Sequence, residues 1–340
     1  MIARRGLMAL LALAVVTAAR AEPYRPPRTA FGHPDLQGIW TAESATGLER
    51  RKAFKTLVAT PAEAAAFLKR RADGYADNVA PVDPAAPAPS DGEVTQDAAQ
   101  WYKPPAGLAR IRGQARTSWI VDPADGKLPY TDASRAEAKQ AAEADDHVFN
   151  DPEPRPFDER CVLGNGGSAG PPMLNAQTNA LLQIVQTRGH VAIVAEMIHD
   201  VRIIRLGDRR HGPAALHPWM GDSVGWWEGD TLVVETTHFN PGERWHWNTG
   251  SYLLIAPNAR VTERFTRTAP GEILYRYTVE DPAHYTRAWR GEMPLRASRG
   301  PIFEFACHEG NYVMANILGG TRAEERETPA TTATAAASPP

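Results

Sequence analysis

The second half of the chain alternates short apolar runs with glycine, proline, aspartate and asparagine. The runs are rich in β-branched and aromatic residues, and several alternate apolar with polar positions, as half-buried strands do. Such short, regularly interrupted runs are typical of an antiparallel meander that closes into a barrel or sandwich. We predict strands over Ala180 to Gln186, His190 to Glu196, Val201 to Leu206, Thr231 to Thr237, Arg260 to Thr268, Glu272 to Glu280, and Ile302 to Cys307.

The first half of the chain carries two helix signals. Thr60-Pro61-Ala62-Glu63 is a capping box with proline at the first helical position, which predicts a helix to about Arg71. Ser134 and Glu137 could cap an alanine-rich surface helix that ends near Asp145. The other predictions here are a strand over Leu36 to Thr41, a Pro/Ala-rich surface loop over Asp77 to Pro105, and a strand, turn and short return over Thr117 to Thr131.

These patterns predict a mainly β, single-domain protein with an antiparallel barrel-like or sandwich core and a few short peripheral helices. Residues 1–21 are expected to be a signal peptide, and residues 22–155 an arm, the first strand, short helices and a loop packed on the core. Residues 156–320 are expected to form the barrel-like core. Residues 321–340 have too little apolar surface to fold, which predicts a disordered tail.

The N-terminus has the layout of a secretory signal. Arg4-Arg5 precede an apolar run from Leu7 to Ala19, and Ala19-Arg20-Ala21 is a small-residue cleavage site. We therefore expect cleavage after Ala21 and a periplasmic or secreted protein, exported by the general route in preference to the twin-arginine route. No later run reaches about 18 apolar residues, so we expect no membrane span.

The charge of the chain bears on the classes of partner that it can bind. The 340-residue chain has a formal net charge of −3, and residues 1–21 contain three of its arginines and no acidic residue. The mature chain is therefore more acidic and has no basic tract of the kind that binds nucleic acid. We expect a small-molecule ligand or substrate, and the sequence does not indicate an oligomeric state.

The chain has two cysteines, Cys161 and Cys307. In an oxidising compartment such a pair is usually a disulfide, and free buried thiols are the alternative. A disulfide would make Cys307 in "EFACHEGNY" a structural residue and not a nucleophile.

Candidate chemistry clusters in the β half, which holds eight of the ten histidines and six of the nine tryptophans. In "EMIHDVRII", period-2 alternation puts His199 on the face of Val201 and Ile203, with Asp200 and Arg202 on the other face. His199 is then either a hydrogen-bonded core residue or the polar group of a ligand cavity, acting as acid or base.

Three further side chains are candidate site residues because of the strand face on which they are expected to lie. His238 continues the face of Val234 and Thr236 and should point into the same interior. His308 and Glu309 fall on opposite faces of the predicted last strand, so one of them should face inward at the barrel mouth. The side chains of His199, His238 and His308 could hold a metal, but no pair has ligand spacing, so no metal or other cofactor is predicted.

The tryptophans are candidate ligand platforms, and "GDSVG" is a candidate nucleophile motif. Aromatic side chains at strand ends either stack on rings of a ligand or cover the barrel core. "GDSVG" has the letters of a nucleophile elbow but does not lie between a strand and a helix, so we assign it no role. The tryptophans are Trp226 and Trp227, before a predicted hairpin turn, and Trp245 and Trp247, around His246.

Blocks of the chain resemble a widespread family of exported, largely uncharacterised bacterial proteins. The blocks are "GHPDLQGIW", "EMIHDVRII", "MGDSVGWWEGDTLVVETTHFN" and "EFACHEGNY", and Gly38-Ile39-Trp40 is also similar to the Gly-x-Trp of lipocalin-like barrels. The resemblance implies export and a shared fold but no reaction. It marks as motif positions His199, Asp200, Arg202, Asp222, Glu228, His238, Cys307, His308 and Glu309.

We therefore expect an exported acid-base enzyme, a hydrolase, lyase or isomerase, acting on a small aromatic, terpenoid or glycosidic compound in a barrel cavity. His199 and His308 would exchange protons, Glu309 or Asp200 would orient an imidazole, and Arg202 would stabilise negative charge. His238, Asp222 and the four tryptophans would bind the ligand. The alternatives are a non-catalytic carrier of an apolar molecule and a protein-binding envelope module.

Overall fold

The protein was analysed as a computed structural model. The predicted signal peptide, most of the predicted Pro/Ala-rich loop and the end of the chain lie outside the residues that the structure describes. The described residues are 24–78, 105, 107–144, 151–153, 155, 157–164, 170–175, 180–243, 245–248 and 251–327.

Three α-helices lie within this part of the chain: α1 (Pro61–Asn78), α2 (Asp132–Ala144) and α3 (Tyr312–Glu327). The capping box of α1 is present, because the Thr60 backbone N–H donates to Glu63 Oε2 at 2.8 Å and the Glu63 N–H donates to Thr60 Oγ1 at 3.2 Å. Both predicted helices are confirmed, with two corrections: α1 continues past Arg71 to Asn78, and Thr131 caps α2 in place of Ser134, whose N–H donates to Thr131 Oγ1 at 3.2 Å. None of the three combines the length and the apolar character needed to cross a bilayer.

Helix α3 corrects the prediction for the end of the chain. It runs through residues 321–327, which were expected to belong to a disordered tail. The remainder of that tail, residues 328–340, lies outside the described residues.

The core is a closed β-barrel of nine strands with mixed strand directions. Fourteen strands occur in the described chain: β1 (Gly38–Thr41), β2 (Arg110–Ile111), β3 (Gln114–Ala115), β4 (Ile120–Asp122), β5 (Leu181–Gln186), β6 (His190–Ala195), β7 (Val201–Leu206), β8 (Asp222–Glu228), β9 (Thr231–Thr237), β10 (Trp245–Asn248), β11 (Ser251–Leu254), β12 (Arg260–Ala269), β13 (Glu272–Glu280) and β14 (Trp289–Ala297).

The barrel order is β1-β5-β6-β7-β8-β9-β12-β13-β14, and β14 pairs with β1 to close it. Every pairing is antiparallel except β7 with β8, which is parallel. Strand β4 pairs with β14 from outside the barrel. The pairs β10–β11 and β2–β3 form two small separate sheets. The predicted mainly β, barrel-like fold is confirmed, with the correction that one pairing is parallel.

One predicted strand is wrong. Residues 302–307 have no strand pairing, although their sequence alternates as a strand does. Strand β14, which precedes them, already pairs with β13, β1 and β4, so the closed barrel offers no free edge to a further strand. The segment instead lies against the turn before β7, where the Phe303 N–H donates to Glu196 Oε1 at 3.0 Å.

Trp40 on β1 is buried in the core. Its Nε1 donates to the Leu36 carbonyl oxygen at 3.0 Å, and the Arg267 guanidinium lies 5.6 Å from the ring centroid. The Trp40 N–H therefore has a hydrogen-bond partner, and the ring lies between the N-terminal arm and β12. A closer relationship to lipocalins stays a prediction.

Cys161 and Cys307 form a disulfide that joins the connection between β4 and β5 to the segment that follows the last barrel strand. Nearby, Asn311 Nδ2 donates to the Glu159 carbonyl oxygen at 2.7 Å. These two links hold the segment after β14 against residues 157–164. The expected structural role of Cys307 in "EFACHEGNY" follows from this bond.

We predict that removing the disulfide lowers the free energy of unfolding by about 2–5 kcal/mol, because its 146-residue separation closes a long loop in the unfolded chain. The comparison is urea denaturation of the wild type and of the double variant Cys161→Ser, Cys307→Ser. The wild type in reductant is the control and should match the variant. Equal midpoints for oxidised wild type and variant would contradict a stabilising bond.

Candidate functional site

Strand β7 turns the face that carries Arg202 and Ile204 into the barrel, and not the face that carries Val201 and Ile203. Val201 and Ile203 are 47% and 51% exposed, whereas Asp200 and Arg202 are 7% and 3% exposed. The predicted orientation, with the apolar residues inward, is therefore wrong. The physical reason is that the buried groups on β7 find charged and polar partners inside the barrel, so their burial is compensated.

Arg202 makes the central interaction of the interior. Its two Nη atoms donate to the carboxylate of Glu263 on β12 at 2.7 and 3.0 Å, and both side chains are almost fully buried. The Tyr275 hydroxyl donates to Glu263 at 2.8 Å and accepts the Met173 backbone N–H at 2.8 Å. Burial raises the pKa of Tyr275 well above its ordinary value, so this phenol stays a neutral donor.

Asp200 lies one residue before β7, at the end of the barrel where that strand begins. Its Oδ2 accepts the Gly164 backbone N–H at 2.9 Å. The pKa of the Asp200 carboxyl is raised to about 6, chiefly by burial. The charge of Glu243 acts in the same direction, whereas the Gly164 hydrogen bond and the charges of His246 and His199 oppose it. Asp200 is thus a carboxyl that exchanges its proton close to neutral pH.

Glu243 and His246 form the other half of this acid-base cluster. Glu243 is fully buried and accepts the Met220 backbone N–H at 2.8 Å. Its other oxygen lies 3.0 Å from His246 Nε2, and His246 is also buried. Both residues act electrostatically on Asp200. A carboxylate that bonds one imidazole nitrogen orients the ring, as in many proton-transfer sites.

The histidines expected to be catalytic do not share this interior. His199 is exposed, and its Nδ1 donates to the Phe305 carbonyl oxygen at 3.2 Å. His308 and Glu309 are both exposed, so the prediction that one of them faces inward is wrong. The cause is the missing last strand, since without strand pairing no alternation assigns a face to either residue. Of the three, only His199 acts electrostatically on Asp200.

His238 and Asp222 belong to a second polar cluster, which includes His211. Asp222 accepts hydrogen bonds from Arg205 Nη2 at 2.9 Å and lies 3.0 Å from His211 Nδ1, while His211 Nε2 lies 3.1 Å from Glu235. The His238 ring is 5.7 Å from that of His211, and its backbone is left-handed with φ of 57°. The structure places His238 with this group and not with Asp200.

The adjacent tryptophans do not form one platform. They lie on β8, where neighbouring side chains point to opposite faces. Trp227 stacks on His33 with ring centroids 5.1 Å apart. The central carbon of the Arg209 guanidinium lies 4.0 Å from the Trp226 ring centroid. The side chains of Trp245 and Trp247 on β10 lie outside the described part of the chain.

The other candidate chemistries find no support in the geometry. Ser223 of "GDSVG" is buried within β8 and shares a hydrogen bond with Thr236 at 2.8 Å, so it is a strand residue and not a nucleophile elbow. Within the described residues no group of three His, Cys, Asp or Glu side chains is arranged to hold a metal ion.

Sequence reasoning passed over Glu243, His246 and Glu263. Glu263 was detectable, because alternation on β12 puts it on the buried face between Val261 and Phe265. A carboxylate at such a position requires a buried cationic partner. Glu243 and His246 gave no periodic signal, since they occupy a turn and a short strand whose positions depend on the tertiary structure.

We predict that Glu263→Gln lowers the free energy of unfolding by about 3–5 kcal/mol, because it leaves Arg202 charged and uncompensated in the interior. The double variant Glu263→Gln, Arg202→Met should recover most of this loss. The exposed pair of Glu228 with Arg264 supplies the control, and Glu228→Gln should cost less than about 1 kcal/mol. Similar losses for Glu263→Gln and Glu228→Gln in urea titrations would show that burial does not matter here.

Asp200 predicts a dependence of stability on pH. Its folded pKa is about 6 and its unfolded pKa about 3.9, so the stabilisation from the protonated carboxyl is complete below about pH 4 and lost as the pH rises through 6. Asp200→Asn keeps an acceptor for Gly164 and should therefore be more stable than wild type at pH 7, by at most about 3 kcal/mol. Thermal melting curves recorded between about pH 4 and pH 7 test this pH dependence, and the exposed Asp208→Asn variant is the control. Parallel curves for wild type and Asp200→Asn would contradict the raised pKa.

No protein-family model, curated protein or solved structure matches this chain. The resemblance of its sequence blocks to exported bacterial proteins therefore stays a prediction. Its function must be argued from the geometry.

Proposed function

We propose that the protein is an exported acid-base enzyme that moves a proton on a small organic compound at the end of the barrel where β7 begins. The observation that carries the proposal is the placement of Asp200, a buried carboxyl with a pKa of about 6, within electrostatic reach of the buried His246–Glu243 pair. Titratable groups whose environments hold them near neutral pH are characteristic of general acid-base sites.

The roles follow from the contacts of each group. Asp200 accepts a proton above about pH 6 and donates one below it, while the Gly164 N–H holds the carboxyl in place. Glu243 orients His246, which serves as the second proton carrier. Arg202 is committed through both Nη atoms to Glu263 and so positions the interior, in place of the charge-stabilising role expected from sequence.

An aromatic wall supports the predicted class of substrate, a small aromatic, terpenoid or glycosidic compound. Along β13 and β14, the Tyr275 and Tyr277 rings are 5.3 Å apart, and Tyr277 is 5.7 Å from Trp289. Tyr277 Oη and Trp289 Nε1 are buried and have no hydrogen-bond partner among the described residues. All three rings are buried in the packed core, so they make the interior apolar, as the predicted class of substrate requires.

A hydrolase, lyase or isomerase reaction is the chemistry that these groups can perform by themselves. Each reaction needs only a proton donor and a proton acceptor, which Asp200 and His246 provide. The Cys161–Cys307 disulfide supports the proposed export, because such bonds persist in oxidising compartments.

The carrier alternative makes a different demand on the interior. A carrier of apolar molecules needs a cavity without convergent titratable groups, whereas Asp200, Glu243 and His246 are buried and coupled. The catalytic interpretation is therefore favoured by an observation that the carrier does not explain.

The test is to incubate the mature protein with a panel of aromatic, terpenoid and glycosidic compounds from about pH 5 to pH 9 and to identify products by mass spectrometry. With any compound that is turned over, the rate should follow an apparent pKa of about 6 in wild type. Asp200→Asn should reduce the rate by about 10²–10⁴-fold and remove this step from the pH profile.

His246→Gln should also slow turnover, and the exposed Asp208→Asn serves as the matched control with an unchanged rate. Melting curves of each variant separate loss of chemistry from loss of folding. Recovery of bound but unaltered compounds across the whole pH range would support the carrier and contradict the enzyme.

A further inference from the structure

The outward faces of β12 and β13 carry two arginines directly opposite each other. Glu263 and Tyr275 point into the barrel, so their neighbours Arg264 and Arg276 point outward. Arg264 and Arg276 are cross-strand partners. Directly opposed side chains have Cβ atoms about 4.5–5.5 Å apart, and like charges at this distance destabilise a sheet. Glu228 pairs with Arg264, and Glu292 of β14 lies opposite Arg276 on its other side but forms its ion pair with Arg116. A bound negative charge would therefore add compensation at Arg276.

A groove of about 360 Å³ lies over the two arginines. Its volume is within the range of roughly 300–1,000 Å³ that is typical of small-molecule sites. Thr262 lies opposite Thr278 in the next row, and Thr278 lies opposite Arg290 of β14. The groove therefore brings three guanidinium groups and two hydroxyls to one small surface.

Glu280, two residues beyond Thr278 on the same face, has no ion pair among the described residues. Glu292, which lines the groove, and the other carboxylates around it are engaged by other side chains. Arg276, by contrast, is exposed and makes no hydrogen bond or ion pair with any residue that the structure describes, and the hydroxyls of Thr262 and Thr278 are equally free within that part of the chain. The engaged carboxylates are Glu228 with Arg264, Asp122 with Arg287 and Arg290, Glu292 with Arg116, and Glu235 with His211 and Arg260.

We propose that this groove binds a small organic anion through its carboxylate or phosphate group. The planar fork of Arg276 matches either group with two parallel hydrogen bonds, and the Thr262 and Thr278 hydroxyls donate to the remaining oxygens. Arg264 and Arg290 add positive charge on the two sides. The chain as a whole is acidic, with a formal net charge of −3, so this is a local positive surface.

The groove is separate from the acid-base cluster proposed above. It lies on the outer side of the same sheet, whose inner side holds Glu263 and Tyr275, and Tyr277 of the aromatic wall also contributes to its lining. Arg276 and the two threonines, which carry the anion proposal, have no part in the acid-base cluster. Anion binding here therefore requires neither turnover nor a ligand inside the barrel, and the two proposals can fail independently.

The test is calorimetric titration of the mature protein with inorganic phosphate and, separately, with succinate in low-salt buffer. Saturable binding of either anion is expected, and the two arms distinguish phosphate from carboxylate recognition. Arg276→Gln should weaken binding by about 10-fold to 100-fold, as the loss of charge-assisted hydrogen bonds does. Arg276→Lys keeps the positive charge but loses the planar guanidinium. Its affinity for the anion should therefore lie between those of wild type and Arg276→Gln.

The exposed Arg210→Gln is the matched control and should bind as wild type does. Without ligand, Arg276→Gln should melt at the same temperature as wild type or higher, because the repulsion with Arg264 is gone. Only wild type should gain thermal stability from the bound anion. Absence of saturable binding to wild type, or equal binding by Arg276→Gln, would overturn the proposal.

Discussion

The buried pair of Arg202 and Glu263 is the constraint on which the interior of this barrel depends. A guanidinium and a carboxylate can both leave water only when each compensates the other, and here two short hydrogen bonds do so. The pair connects β7 and β12, which are not neighbours in the sheet, so it spans the barrel. Tyr275 joins the same carboxylate and also accepts the Met173 N–H, which positions residues 170–175.

The orientation of β7 follows from this pair. With Arg202 inward, alternation also turns Asp200 inward and leaves Val201 and Ile203 exposed. Asp200 then sits where burial favours its protonated form and where Glu243 and His246 act on it. The acid-base cluster is therefore a consequence of how the interior charge is balanced. Outside, the same sheet carries Arg276, which makes no hydrogen bond or ion pair with the described residues, and the groove over it is the proposed anion site.

The parts of the fold that could be predicted are those set by local sequence. Strand β12 alternates from Arg260 to Phe265 and β13 from Tyr275 to Glu280, and the α1 capping box carries its own hydrogen bonds. Strands β8 and β14 were missed because Gly221-Asp222-Ser223 is typical of a turn and because Pro294 interrupts the β14 pattern. The last predicted strand failed for the opposite reason, since its local pattern fits a strand but the closed barrel leaves it no edge.

The sequence by itself determined the class of fold, the helices and the choice of two cysteines that can bond, because propensity, periodicity and residue count are properties of the chain alone. Only the tertiary structure decided which face of β7 is buried and which titratable groups meet. Alternation divides a strand into two faces but does not say which one faces inward. That choice depends on partners such as Glu263, 61 residues from Arg202, and such pairings exist only once the barrel has closed.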